Sequence, residues 1–145
     1  MSVPAVYLRN TTDLQAFRIS PKDTNYFVIL HDDTVPGYQN VCVIEIFEKG
    51  GKTPPNSHKV AFEFFYVLQG TGRASCDGAA VDIQRGSALL IPPGGEHVIE
   101  NTGPGKLYTL TVMTPDEEFA ALIRAGTPVE LDREDIALLS RDNRA

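Results

Sequence analysis

No apolar run in this chain approaches the ~20 residues needed to cross a bilayer as a helix, so a membrane-spanning role is not expected. Basic side chains are outnumbered, 13 Lys and Arg against 19 Asp and Glu, which leaves a net charge of −6. Such a surface does not gather phosphate backbones, because nucleic-acid affinity comes from neutralising phosphates with cations. Cysteine is nearly absent. Cys42 and Cys76 stand in apolar or strand-like contexts without a CxxC pair, where buried free thiols are expected. The first residues lack a basic segment followed by a long apolar stretch, so a secretory signal is not expected and a cytoplasmic location is. Histidine is scarce as well, with three in 145 residues.

What is present points to one β-rich domain. A chain of 145 residues, 42% hydrophobic, can bury roughly two thirds of its unfolded surface around a single core. From residue 25 to 113, short runs of β-formers alternate with Gly and Pro. Strands are expected over 26–30, 41–47, 62–68, 73–76, 80–83, 88–91, 98–100 and 107–113, with Asp77-Gly78 as a hairpin turn. Frequent turn signals without a long helical period imply an all-β sandwich or barrel and argue against βαβ units. The run 62–68 is apolar on both parities. One face can line an interior, and the other needs cover from an N-terminal strand, a helix or another subunit.

The flanks read differently. Residues 1–24 form an N-terminal segment with a possible edge strand over 5–8, residues 25–113 the barrel, and residues 114–145 a helical tail packing on it. Thr114-Pro115-Asp116-Glu117-Glu118 offers an N-cap, a proline at the first helical position and early carboxylates. Phe119, Leu122 and Ile123 then share an apolar face, and Gly126 ends the helix. Asp132-Arg133-Glu134-Asp135 starts a second short helix carrying Ile136, Leu138 and Leu139, and residues 140–145 are expected to fray. The acidic residues of both segments read as helix starts without a catalytic role.

The chemistry concentrates between Gly50 and Asn101. Gly50, Asn56, His58, Glu63 and Gly70 make one spaced set, and Gly86, Pro92, Gly94, His97 and Asn101 a second. His58 and Glu63 are five apart and would face opposite ways on a straight strand, so the chain must turn or bulge between them to bring them together. Pro93-Gly94 supplies a turn that sets His97 near the start of the next strand, with Ile99 and Asn101 on its face. Two such strand mouths can lie side by side on a barrel.

These two sets resemble the motifs of the cupin superfamily, G-x5-H-x-H-x3–4-E-x6-G and G-x5-P-x-G-x2-H-x3-N. The second is matched at every defined position. The first is matched at Gly50, His58, Glu63 and Gly70, while Asn56 stands where the family has its first histidine. The resemblance implies an all-β double-stranded β-helix, a jelly-roll barrel, with short C-terminal helices. It further implies one divalent metal ion (Fe, Mn, Zn or Ni) on His58, Glu63 and His97. Asn56 would lend its amide oxygen or hold a metal-bound water. Two imidazoles and a carboxylate suit non-haem Fe(II), and an amide in place of a third imidazole favours an oxygen-preferring ion such as Mn.

The function implied is a metal-dependent enzyme acting on a small organic substrate, oxygenase-like, or else an isomerase or decarboxylase, and a homodimer. The alternative is a small-ligand-binding or sensor barrel without catalytic metal, in which the same residues form a polar pocket floor. Phe65 and Val67 share parity with Glu63, and Ile99 with His97, so these three are candidates for an apolar pocket wall, with simple core packing as the alternative. Glu45 is the lone charge in the run 41–47. Facing solvent or paired with a lysine, the commoner case, it does nothing chemical. Facing inward, it becomes a candidate acid or base for the pocket. His31 reads as a strand end running into a polar turn.

Overall fold

Alternating parity and Gly-rich punctuation produce two antiparallel sheets in the structure, a computed structural model that describes residues 5–140. The strands are β1 (Ala16–Arg18), β2 (Asn25–His31), β3 (Val41–Phe47), β4 (Phe62–Gln69), β5 (Thr71–Cys76), β6 (Ala79–Gln84), β7 (Ala88–Ile91), β8 (His97–Asn101), β9 (Leu107–Thr114) and β10 (Thr127–Val129). A seven-stranded sheet runs β10-β1-β2-β3-β9-β4-β7, and a three-stranded sheet runs β6-β5-β8. The expected all-β architecture is therefore present. At the tip of the small sheet Asp77 (φ 48°) and Gly78 (φ 85°) both take left-handed backbone, the geometry a two-residue hairpin needs to match strand twist.

Inward-facing residues build the interior in two parts. At one end Phe47, Phe65, Val67, Ala74, Ile83, Ile99 and Leu107 pack between the sheets. At the other, Phe27, Val41, Val43 and Met113 meet Ala120 and Ile123 of α1 (Phe119–Arg124), with Phe119 edge-on to Phe27 at 5.4 Å. The outer face of the large sheet gets its cover from α2 (Arg133–Leu139), whose Leu138 and Leu139 pack against Tyr26, Val28, Ile44, Ile46 and Tyr108.

One buried carboxylate pins that layer. Asp135 is fully buried and accepts from the hydroxyls of Tyr26 (2.7 Å) and Tyr108 (2.6 Å) and from Lys106 Nζ (3.1 Å). Burying a lone charge is costly, and three donors compensate it. Asp135 also closes a reciprocal capping box with Asp132 at the start of α2. Cover stops short of β4 and β7, where Phe62, Tyr66 and Leu90 remain exposed on the outer face.

Three expectations about the flanks are corrected. Residues 5–8 form no strand: Val6 and Leu8 are exposed, and the N-terminal strand is β1. It is held by β10, absent from the sequence reading, through the pair Phe17↔Pro128. This pairing brings Gly126 so close to the Arg18 carbonyl that a Cβ there would collide with it. Helix α1 starts at Phe119 rather than just after Thr114, because Glu117 (φ 53°) and Glu118 (φ 66°) leave helical backbone. Asp116 nonetheless caps it, accepting from the Ala120 N–H at 3.0 Å. Of the expected frayed end, residues 141–145 lie outside the described residues.

Candidate metal centre

The two motif loops are bound to each other by backbone. The His97 N–H donates to the Asn56 carbonyl at 2.8 Å, the Asn56 N–H returns a bond to the His97 carbonyl at 3.2 Å, and the Gly94 N–H donates to the His58 carbonyl at 2.7 Å. His58 stands in the loop before β4, not on the strand, which resolves the parity conflict with Glu63. Asn101, the last motif position, closes the frame, its amide donating to the carbonyls of Phe47 (3.2 Å), Glu48 (2.9 Å) and Gly105 (2.8 Å).

His58, Glu63 and His97 consequently converge, their donor atoms all within 4.8 Å of one another. His97 Nε2 lies 2.7 Å from Glu63 Oε1, and His58 Nε2 lies 3.3 Å from the same oxygen. His97 Nδ1 faces the Gly95 carbonyl at 3.0 Å. A carbonyl only accepts, so Nδ1 carries a proton and Nε2 is the nitrogen turned to the cluster. Burial pushes the Glu63 carboxyl up, but the neighbouring imidazoles of His58 and His97, the latter hydrogen-bonded to it, outweigh that and hold Glu63 below the usual range. Burial likewise pulls His97 down, yet Glu63 outweighs it and the imidazole is held above its ordinary value.

His58 Nε2 is different. It is buried and lacks the alignment to bond Glu63, so it has no hydrogen-bond partner. Leaving such an atom unsatisfied costs about 1–3 kcal/mol. A divalent cation shared with Glu63 and His97 would satisfy it, and imidazole and carboxylate are the donors such ions take. The residues present fit a metal.

Beside the three donors lies a cavity of about 370 Å³ whose walls include Phe27, Phe65, Met113, Phe119 and Leu122. Of the expected pocket residues, Phe65 lines it. Val67 and Ile99 do not: they sit in the packed interior with Phe47, Ala74 and Leu107. Parity predicted their face correctly but carries no information about depth along the barrel. Asn56 borders the cavity as an exposed residue.

Glu45 faces inward, contrary to the commoner outcome for a lone strand charge. Val41, Val43, Glu45 and Phe47 share the interior face of β3. Glu45 is 2% exposed and lines the cavity, and Asn25 Nδ2 donates to its Oε2 at 2.8 Å. Burial, helped by the charge of Glu63, pushes its carboxyl up to about 8. His31 ends β2 and has no part in the cavity.

Two contributors were missed in the sequence. Asn25 carried no signal beyond opening a strand. Glu117 read as a helix start, yet its carboxylate accepts from the N–H groups of Lys59 (3.3 Å), Val60 (3.0 Å) and Ala61, clamping the loop that follows His58. Those N–H groups hold the Glu117 carboxyl below the usual range.

Comparison with known proteins agrees with this geometry. Residues 43–113 match the family model described as Cupin domain. An uncharacterized protein of Methanocaldococcus jannaschii is 30% identical over 87 residues, which is 60% of this chain and 70% of that protein. An oxalate-binding protein of Thermotoga maritima is 37% identical over 68 residues, 43% of this chain and 56% of that one. Among solved structures, a predicted oxalate decarboxylase from Thermotoga maritima superposes with TM-score 0.68 at 24% identity, covering 74% of this chain and 97% of that one. At that identity the likeness bears on the fold, a double-stranded β-helix.

Proposed function

The chain belongs to the cupin superfamily, and from that premise we propose that it is a metal-dependent enzyme acting on a small organic substrate, with His58, Glu63 and His97 holding one divalent cation. The observation that carries this reading is His58 Nε2, a buried nitrogen without a partner, 3.3 Å from a carboxylate oxygen that His97 already engages. A bound cation would supply Lewis acidity, and Fe(II) in particular would supply O2 activation. Three protein donors leave positions for substrate, which favours an oxygenase-like reaction over isomerisation or decarboxylation. Asn56 belongs to the proposal as an amide ligand or as a holder of metal-bound water, and its replacement of an imidazole favours Fe or Mn over Zn or Ni.

The remaining roles follow from the cavity. Phe27, Phe65, Met113 and Phe119 exclude water and take the apolar body of the substrate. Glu45, whose carboxyl is pushed up mainly by burial, stands in the cavity wall where it would give a proton to the substrate and regain it. A homodimer is part of this reading. A second copy would cover Phe62, Tyr66 and Leu90, and equilibrium sedimentation that returns monomer at micromolar concentration would remove it.

A second reading, a ligand-binding module without turnover, draws support from the 2.7 Å Glu63–His97 bond, which satisfies both groups without a cation. Metal analysis of protein purified without added metal separates the two. The enzyme reading expects close to one equivalent of a transition ion, with oxygen uptake or product formation on some aromatic or carbonyl compounds. Trace metal, with no gain on supplying Fe(II) or Mn(II), rejects it.

A further inference from the structure

The cavity has a second polar pole that the metal ligands do not use. Asn25, the first residue of β2, and Glu45, in the middle of β3, both line it and are 3% and 2% exposed. Asn25 Nδ2 donates to Glu45 Oε2 at 2.8 Å, while Asn25 Oδ1, also buried, has no partner. One end of a buried amide at the cavity wall is thus left unpaired. An unpaired buried polar atom costs about 1–3 kcal/mol, which a ligand's polar group would recover.

The charges around the cavity narrow what that ligand can be. Asp23, Glu45, Glu63, Glu117 and Glu118 line it, and among the described residues no lysine or arginine does. A small dianion would have the cation, already shared with Glu63, as its only positive contact while facing Asp23, Glu117 and Glu118, and like charges juxtaposed in a site are strongly disfavoured. An uncharged molecule carrying an O–H or N–H meets no such repulsion.

We propose that Asn25 and Glu45 form a recognition subsite for an uncharged, largely apolar ligand bearing a hydroxyl or N–H group, and that the cavity discriminates against small carboxylate anions. The proposal rests on the reading above that the substrate occupies this cavity. It separates this chain from the ligand named for its oxalate-binding relative.

Three probes of similar size test it: phenol, which has the apolar body and one donor; anisole, in which the donor is methylated; and benzoate, which is anionic. Each is titrated into 15N-labelled protein, followed through the side-chain amide of Asn25, once with Mn-free protein treated with chelator and once with Zn-loaded protein. Phenol is expected to shift the Asn25 amide and to bind about tenfold more tightly than anisole, the worth of one hydrogen bond to a buried group. Benzoate is expected to bind more weakly than either. Asn25→Leu should remove the preference for phenol over anisole. The wild-type comparison alone decides the matter should that variant not fold. Equal affinity for phenol and anisole, tighter binding of benzoate, or no perturbation of Asn25 by phenol overturns the subsite. Because the chelated protein is also measured, loss of the metal reading appears as a failure to take up Mn(II) as well as Zn(II), independently of the probe titrations.

Discussion

Glu63 and His97 meet at 2.7 Å although they belong to different sheets, Glu63 to β4 of the seven-stranded sheet and His97 to β8 of the three-stranded one. The contact ties the two layers together at the mouth of the barrel. A cation bound there, with His58 from the loop before β4, would fasten both sheets at one point.

Metal should therefore register as stability. Free cation at about 100 times its Kd raises the unfolding free energy by ~2.7 kcal/mol when only the folded state binds it. Urea melts with Mn(II) or Fe(II), and again after chelation, should differ by that order. His58→Ala should abolish the difference, since it removes a donor outright. A melt that ignores both metal and chelator would contradict the assignment.

Glu45 predicts a pH dependence of stability with a definite sign. Its carboxyl is raised in the folded protein, from 4.5 to about 8, mainly by burial. Folded and unfolded states are both protonated below 4.5. Between 4.5 and 8 the unfolded chain releases a proton that the folded one keeps, so stability from this group falls as pH rises through that window. The groups facing it are Asn25 on β2, Thr111 on β9 and Glu63 on β4, with Asp23, His58 and His97 on the same cavity. Glu45→Gln should flatten the decline by up to roughly 1 kcal/mol per pH unit in metal-free protein. An unchanged slope would place Glu45 among ordinary carboxylates.

Glu117 should act on metal affinity without touching the metal. Its carboxylate fixes the N–H groups of residues 59–61, directly after His58. Glu117→Ala frees that loop and should weaken Mn(II) binding by about 10–100-fold, the usual effect of losing an outer support. Isothermal titration of both proteins checks this. Equal affinities would reduce Glu117 to a surface contact.

Asp135 should matter for stability alone. Asp135→Ala leaves two buried tyrosine hydroxyls without their acceptor and Lys106 with one carboxylate fewer, and should cost about 3 kcal/mol or more. Asp135→Asn, which keeps one acceptor oxygen, should cost less. Metal affinity should stay within about twofold, as expected for a distant and independent site. Chemical denaturation and titration of the same variants separate the two effects.

The barrel was legible because its signals are local. Runs such as 41–47 and 62–68 alternate or stay apolar, and Asp77-Gly78 has one natural backbone geometry. Glycine and proline spacing permitted the convergence of His58, Glu63 and His97 and the resemblance to the cupin motifs implied it, with the turn before β4 supplying what strand parity forbids. What escaped were features fixed by tertiary contact. Strand β10 carries Pro128 and exists because β1 offers an edge. Glu117 lies in a run that reads as a helix start, and its role depends on backbone N–H groups more than fifty residues away in sequence. Val67 and Ile99 were given the right face but the wrong depth, since periodicity has no coordinate along the barrel axis.

One measurement bears most directly on the central claim: an anomalous difference map from crystals soaked in Mn(II) or Co(II). The account predicts a single strong peak at coordination distance, ~2.0–2.2 Å, from His58 Nε2 and His97 Nε2 and bonded to Glu63, with the two imidazoles otherwise little moved. A map without density there, in crystals where Glu63 and His97 stay bonded to each other, would contradict it.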